Sequence, residues 1–321
     1  MSNPQYNPLN ASGTNPLLLL LSLIGITLGG VFLIGQILAT AAGMIMSGVG
    51  LDEFLLILSN PTAYPEQRTM FLVMQGMASL GGFVIAPLIF YYTMVKGDLV
   101  KDFIDFPSDS LRVIGLTVII VFSFMIVNTV FIEWNANLSF PEFLAGFETW
   151  AKNLEESMAD ITKYLTNFES TGYFVLAVVI VAVLPGIGEE LLFRGFLQNI
   201  FRRLFKNDHV AIWLAAFLFG AIHFQFYGML PRMLLGALFG YLYIWTGNLL
   251  IPIVAHFLNN AISLFALFIY QKGLTDFDAE STEALPAVYV LIFSVFFVIS
   301  LVYFKYHSKT GNEHERLERG I

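Results

Sequence analysis

The sequence predicts an all-α membrane protein: a polytopic bundle of about eight transmembrane helices, with an amphipathic helical segment between spans three and four. Three observations carry this. Charged residues make up 12% of the 321-residue chain, about half the share of a typical soluble domain, so there is too little charge to cover a soluble exterior. The hydrophobic set reaches 57%, with 32 Phe, and mean hydropathy is +0.72. Eight segments meet or approach the roughly 20 apolar residues that a spanning helix needs. The same composition removes other classes. With no Cys there is no disulfide framework, thiol nucleophile or cysteine–zinc site. A net charge of −8 without a basic stripe excludes nucleic acid as an expected partner.

Residues 1–16 form an Asn- and Pro-containing head expected to be disordered. It has no Lys or Arg, and the apolar run Leu17–Met46 is too long for a cleaved signal core, so it reads as a retained first span. Met70–Val95 and Leu111–Phe131 complete an N-terminal part, residues 17–132. In the connection 133–171, Phe143, Phe147, Trp150, Leu154, Met158, Ile161, Leu165 and Phe168 recur at helical spacing, with Glu148, Glu155, Glu156 and Asp160 between them. Ser139 and Glu142 have capping-box spacing. This segment is expected to lie as amphipathic helix on the outer surface, either gating the bundle or only packing on it.

Residues 172–270 form the membrane core, with spans Tyr173–Leu192, Val210–Phe226, Met233–Trp245 and Leu249–Tyr270. The third of these is short, bounded by Pro231 and Thr246-Gly247-Asn248. Residues 271–321 add the last span, Leu285–Phe304, and a basic tail. With eight spans starting inside, ten Lys or Arg fall in inner connections and four in outer ones, leaving aside Arg194 and Arg232. The positive-inside rule then places both termini in the cytoplasm and the chain in a cytoplasmic cell membrane, with the bilayer as its surroundings.

Ionisable groups inside apolar spans are costly and mark function. The fourth span ends Pro185-Gly186-Ile187-Gly188-Glu189-Glu190, followed by Arg194. Pro185 removes a backbone donor, which predicts a kinked or locally open helix. Glu190 and Arg194, four apart, can pair on one face, and Glu189 points elsewhere as a candidate general base. A clamp closing the helix end is the plainer reading of the pair. The fifth span carries Phe219-Gly220-Ala221-Ile222-His223, and the seventh carries His256 with Asn259 and Asn260. Taken singly, the histidines can be satisfied core residues and the Asn pair interhelical glue. Taken together, Glu189 and His223 sit at about the same depth, some 20 Å from the inner helix ends, so the three spans can converge on one cavity. Such a set can hydrolyse an amide, a carboxylate taking the proton of water while donors hold the oxyanion.

The His-Glu-x-x-His zinc motif, a Gly-x-Ser-Gly nucleophile and a Tyr-Asp aspartyl partner are all absent. The ordered set Glu189-Glu190-x-x-x-Arg194, Phe219-x-x-x-His223 and His256-x-x-x-Asn260 resembles the CPBP (Abi) intramembrane protease family, related to the type II CAAX prenyl endopeptidases, over about Pro185–Ala261. The resemblance implies an eight-helix bundle and an endopeptidase acting on a peptide or membrane-protein substrate. It makes Glu189 the residue that activates water, His223 its neighbour, His256 and Asn260 the holders of the carbonyl or oxyanion, and Glu190 with Arg194 the brace. Gln225, Tyr227 and Arg232 are placed as shapers of the pocket. Glu189, His223 and His256 are also candidate ligands for zinc, and metal participation stays open. The readings from other classes are a secondary transporter, with mid-membrane charge and a Pro/Gly break, and a non-catalytic scaffold keeping the protease fold.

Overall fold

The computed structural model describes residues 7–9, 13–104 and 110–319. Among these it is helical, with no strand. Asn15 accepts from the Leu17 N–H and Pro16 takes the first helical position, which starts α1 (Pro16–Ser47). A short α2 (Leu51–Ser59), not expected from hydropathy, carries Asp52 and Glu53 in its first turn, where the helix dipole favours acids. There follow α3 (Pro65–Val95), a single turn α4 (Leu99–Phe103) and α5 (Ser110–Ala136). Then come the amphipathic α6 (Ala145–Leu165) and α7 (Thr171–Phe205). The chain ends with α8 (Asp208–Ala221), α9 (Met229–Thr246), α10 (Leu250–Gln271) and α11 (Ala287–Arg319).

Six of the described helices are long and apolar enough to cross a membrane: α1, α3, α5, α7, α10 and α11. The chain is a multi-pass membrane protein. The two remaining expected spans are α8, of 14 residues, and α9, of 18. Helix α7 sits at the centre, with 44% of its apolar window buried, against 17% for α1 and 6% for α11, whose outward residues meet lipid. One core cluster joins α7 to α1, α3, α8 and α9; a second joins α9 and α10 to α5 and α11.

Several boundaries differ from the sequence reading, each for a local reason. Helix α7 continues past Leu192 to Phe205, because Arg194, Gln198 and Asn199 lower hydropathy without breaking a helix. Lys206, left-handed at φ 51°, ends it, and the Asn207 side chain caps α8 at Val210. Helix α8 stops at Ala221 rather than Phe226, where Phe224 turns left-handed at φ 53°, a conformation uncommon for a bulky residue. At 1.5 Å per residue α8 is only about 21 Å long, so His223 ends up part-way through the bilayer thickness. The Ser139–Glu142 box does not form. Pro141 precedes a short turn, Glu142–Leu144, and it is Glu148 that reaches back, accepting from the Phe140 N–H at 3.2 Å. Of the head, residues 1–6 and 10–12 lie outside the described residues; Asn7 and Leu9 are buried, and Asn7 Nδ2 donates to the Asn199 carbonyl at 3.0 Å.

Candidate active site

The site grows from the broken helical ladder of α7. Two π-helical turns, Val179–Val183 and Leu191–Leu197, flank the α-helical stretch Leu184–Glu190; such turns recur at functional sites. Pro185 has no N–H to offer the Val181 carbonyl four residues back. Asn260 of α10 supplies a donor instead, its Nδ2 lying 2.9 Å from that carbonyl. Gly186 and Gly188 allow close approach of neighbouring backbones. A Cβ on Gly186 would lie 3.3 Å from the Phe257 nitrogen of α10, and one on Gly188 would lie 2.9 Å from the Phe83 carbonyl of α3. Gly188→Val is therefore expected to force α3 and α7 apart and to destabilise by about 1–3 kcal/mol. The check is the thermal midpoint of the purified protein; a midpoint equal to wild type refutes the close-packing role.

This packing brings the ionisable residues together. Glu190 is fully buried, and its Oε1 accepts from Arg194 Nη1 at 2.7 Å and faces His256 Nδ1 at 2.8 Å. Arg194, also buried, donates from Nη2 to the Gly236 carbonyl of α9 at 2.6 Å. One turn on, Gln198 Nε2 reaches the Gly240 carbonyl at 3.3 Å, so two rungs tie α7 to α9. The guanidinium lies over the rings of Phe219 and Phe239, 4.8 and 5.4 Å from their centroids, a favourable placement for a desolvated cation. His256 stacks on Phe239 and meets Phe219 edge-on.

Glu189 points away from Arg194 and towards the other side of His256. Its Oε2 is 4.0 Å from His256 Nε2, beyond a direct hydrogen bond and within the span that one water bridges. The imidazole thus lies between the two glutamates, Nδ1 to Glu190 and Nε2 to Glu189. His223 sits just past α8; the rings of His223 and His256 both meet Phe219 edge-on, at centroid separations of 5.4 and 5.8 Å. Its Nδ1 is 2.8 Å from the Phe219 carbonyl, which can only accept, so Nδ1 carries the hydrogen and neutral His223 keeps Nε2 as an acceptor. Asn260 is not beside Glu189: its amide is bonded at Val181, two turns earlier on α7, and its Oδ1 accepts from Asn259 Nδ2 at 3.1 Å.

The candidate ligands Glu189, His223 and His256 are not gathered around one point. Among the described residues no three His, Asp or Glu side chains gather closely enough to hold a metal ion. Glu189 and His256 are near each other, while His223 Nδ1 is held by the Phe219 carbonyl. This donor set does not fit a tetrahedral metal.

Helix α6 covers the segment that follows His223. Phe147 and Trp150 of α6 pack on Phe226, at ring separations of 5.1 and 5.6 Å. Glu155 of α6 accepts from the Tyr227 N–H at 3.3 Å, and partial burial raises its carboxyl above the usual range although that bond and the field of Arg232 act the other way. Met158 and Ile161 of α6 stay exposed, as suits a helix at the lipid surface. Arg232 Nη2 donates to Gln225 Oε1 at 2.6 Å. Phe239 and the carbonyls of Gly236 and Gly240 were not among the sequence candidates; their signal is the Gly-x-x-x-Gly spacing in α9, which matches the Arg194–Gln198 spacing on α7.

Comparison with known proteins falls on this region. Residues 171–262 match the family model "Type II CAAX prenyl endopeptidase Rce1-like". An uncharacterised protein of Bacillus subtilis (strain 168), YpbD, is 35% identical over 92 residues, covering 26% of this chain and 42% of that protein. The match thus spans less than half of that curated relative. No solved structure matches the chain. The matched residues run from the start of α7 into α10 and contain all three motifs, so the resemblance read from the sequence holds: over residues 171–262 the chain is similar to the Rce1-like type II CAAX prenyl endopeptidases.

Proposed function

We propose that the protein is an intramembrane endopeptidase of the CAAX-protease type that hydrolyses a peptide bond with water activated by Glu189. The observation that carries this is the buried array Glu189–His256–Glu190–Arg194, with one glutamate 4.0 Å from the imidazole Nε2 and the other 2.8 Å from Nδ1. With Glu190 and Arg194 ionised, one proton shared between Glu189 and His256 leaves the four-residue cluster neutral, the arrangement least costly in a low dielectric. When that proton is on His256, Glu189 is a free carboxylate and His256 Nε2 is a donor. Glu189 then takes a proton from water, whose oxygen attacks the carbonyl carbon. The oxyanion is held by His256 Nε2–H, while Asn260, bonded at Val181, braces α7 against α10. His223 Nε2 accepts from the water and orients it. As the C–N bond breaks, Glu189 passes its proton to the leaving amine, and acid and amine products result.

The test is a comparison of membranes carrying the active chain with membranes carrying Glu189→Gln. At least one membrane protein is expected to accumulate uncut in the latter; identical peptide patterns would sink the assignment. The same reading puts both termini in the cytoplasm and α6 outside, on the ten-to-four split of basic residues. Reporters fused at residues 150 and 308 are expected on opposite sides of the membrane, and finding them on one side refutes this topology.

A further inference from the structure

Arg232 is half-buried at the start of α9, and its Nη1 is buried without a hydrogen-bond partner. Buried guanidinium donors are normally paired; Arg68 and Arg194 leave only an Nε unmatched, whereas Arg232 leaves one of its two terminal nitrogens. Its position is fixed by two neighbours. Nη2 is held at 2.6 Å by Gln225, two residues after His223. Nη1 runs close over Gly228, where any Cβ would collide with it. Arg232 also lies one helical turn before Gly236, whose carbonyl takes Arg194, so it shares the face of α9 that looks onto the catalytic cluster. Glu155 is the carboxylate whose field reaches Arg232, but its Oε2 is engaged by the Tyr227 N–H. The result is an oriented guanidinium beside His223, with its Nη1 buried and unmatched.

We propose that Arg232 forms a carboxylate-binding subsite, positioned by Gln225, that anchors a carboxylate of the peptide substrate beside His223. The inference rests on the endopeptidase reading and adds to it the chemistry by which substrate is recognised. A carboxylate matches the planar fork, which binds it through two parallel N–H···O bonds. It can come from the free C-terminus of the peptide or from an Asp or Glu side chain.

The experiment measures binding apart from cleavage. Purified full-length Glu189→Gln protein in nanodiscs is offered a pool of short synthetic peptides, each made with a free and with an amidated C-terminus, and retained peptides are identified by mass spectrometry. Peptides bearing a carboxylate are expected to be retained about tenfold or more over their neutral counterparts, the scale of one lost charge-assisted contact. Adding Arg232→Gln is expected to remove that preference. A preference that follows the terminus assigns the anchor to the C-terminal carboxylate; one that follows internal Asp or Glu assigns it to a side chain, and the subsite stands in both cases. Equal retention of acid and neutral forms, no retention at all, or a preference that survives Arg232→Gln overturns it. Where Arg232→Gln does not accumulate, Arg232→Lys decides: it keeps the charge and loses the fork, so a reduced preference supports the subsite and an unchanged one refutes it. Failure of the active chain to cleave any peptide would sink the endopeptidase reading while leaving the retention result to stand or fall by itself.

Discussion

Glu189→Gln is expected to reduce peptide-bond hydrolysis by about 10²–10⁴-fold, the usual contribution of a positioned general base, while yield and thermal midpoint stay near wild type. The separation of the two readouts follows from the geometry. Glu189 makes no hydrogen bond that holds helices together, and its closest charged neighbour is His256 Nε2 at 4.0 Å. Gln is nearly isosteric and cannot take a proton. The measurement is turnover of a cleaved peptide by purified protein, alongside a melting curve. Near-normal turnover would remove Glu189 from the chemistry, and a collapse in stability would recast it as a structural acid.

Glu190→Gln is expected to act the opposite way, with loss of folded protein dominating. It leaves Arg194 fully buried without its anion, and breaking a buried ion pair by removing one partner costs about 3–5 kcal/mol. His256 Nδ1 loses the charged acceptor that orients its ring in the same step. Exchanging the two charges does not restore the array. A glutamate at 194 would face the Gly236 carbonyl that now accepts from Arg194, and an arginine at 190 would face His256. Neutralising both, as Glu190→Gln with Arg194→Met, is expected to recover more folded protein than Glu190→Gln alone, since no uncompensated charge remains. Yield and thermal midpoint measure this; a double variant no more stable than the single would show that the Gly236 and ring contacts of Arg194 outweigh the ion pair.

What the sequence made legible has a physical pattern. The membrane class and the helical make-up were readable because hydropathy accumulates over twenty or so residues and a single span declares itself without its neighbours. The pairing of Glu190 with Arg194 was readable because four residues bring side chains to one face of a helix. The length of α7 was not, because Arg194, Gln198 and Asn199 end an apolar run without ending a helix. Nor was the early end of α8, which rests on the left-handed Phe224, a tertiary compromise with no local signal in Ile222-His223-Phe224-Gln225. The bond from Asn260 to Val181 lay out of reach for the same reason. The sequence showed an orphaned carbonyl near Pro185 and a polar amide on a distant span, and only the packing of α7 on α10 joins them.

That bond from Asn260 to Val181 links the histories of two positions. Pro185 creates the vacancy in the helical ladder and Asn260 answers it, so neither change is neutral on its own. A lineage acquiring the proline first would carry an unsatisfied carbonyl at membrane depth, and one acquiring the asparagine first would carry a half-buried amide whose N–H groups lack that carbonyl. Each makes the other tolerable, and once both are present each resists reversion. Descendants of this chain are therefore expected to keep or to lose the two together, and an ancestor with a straight α7 would have had little to gain from an asparagine at position 260 for this purpose.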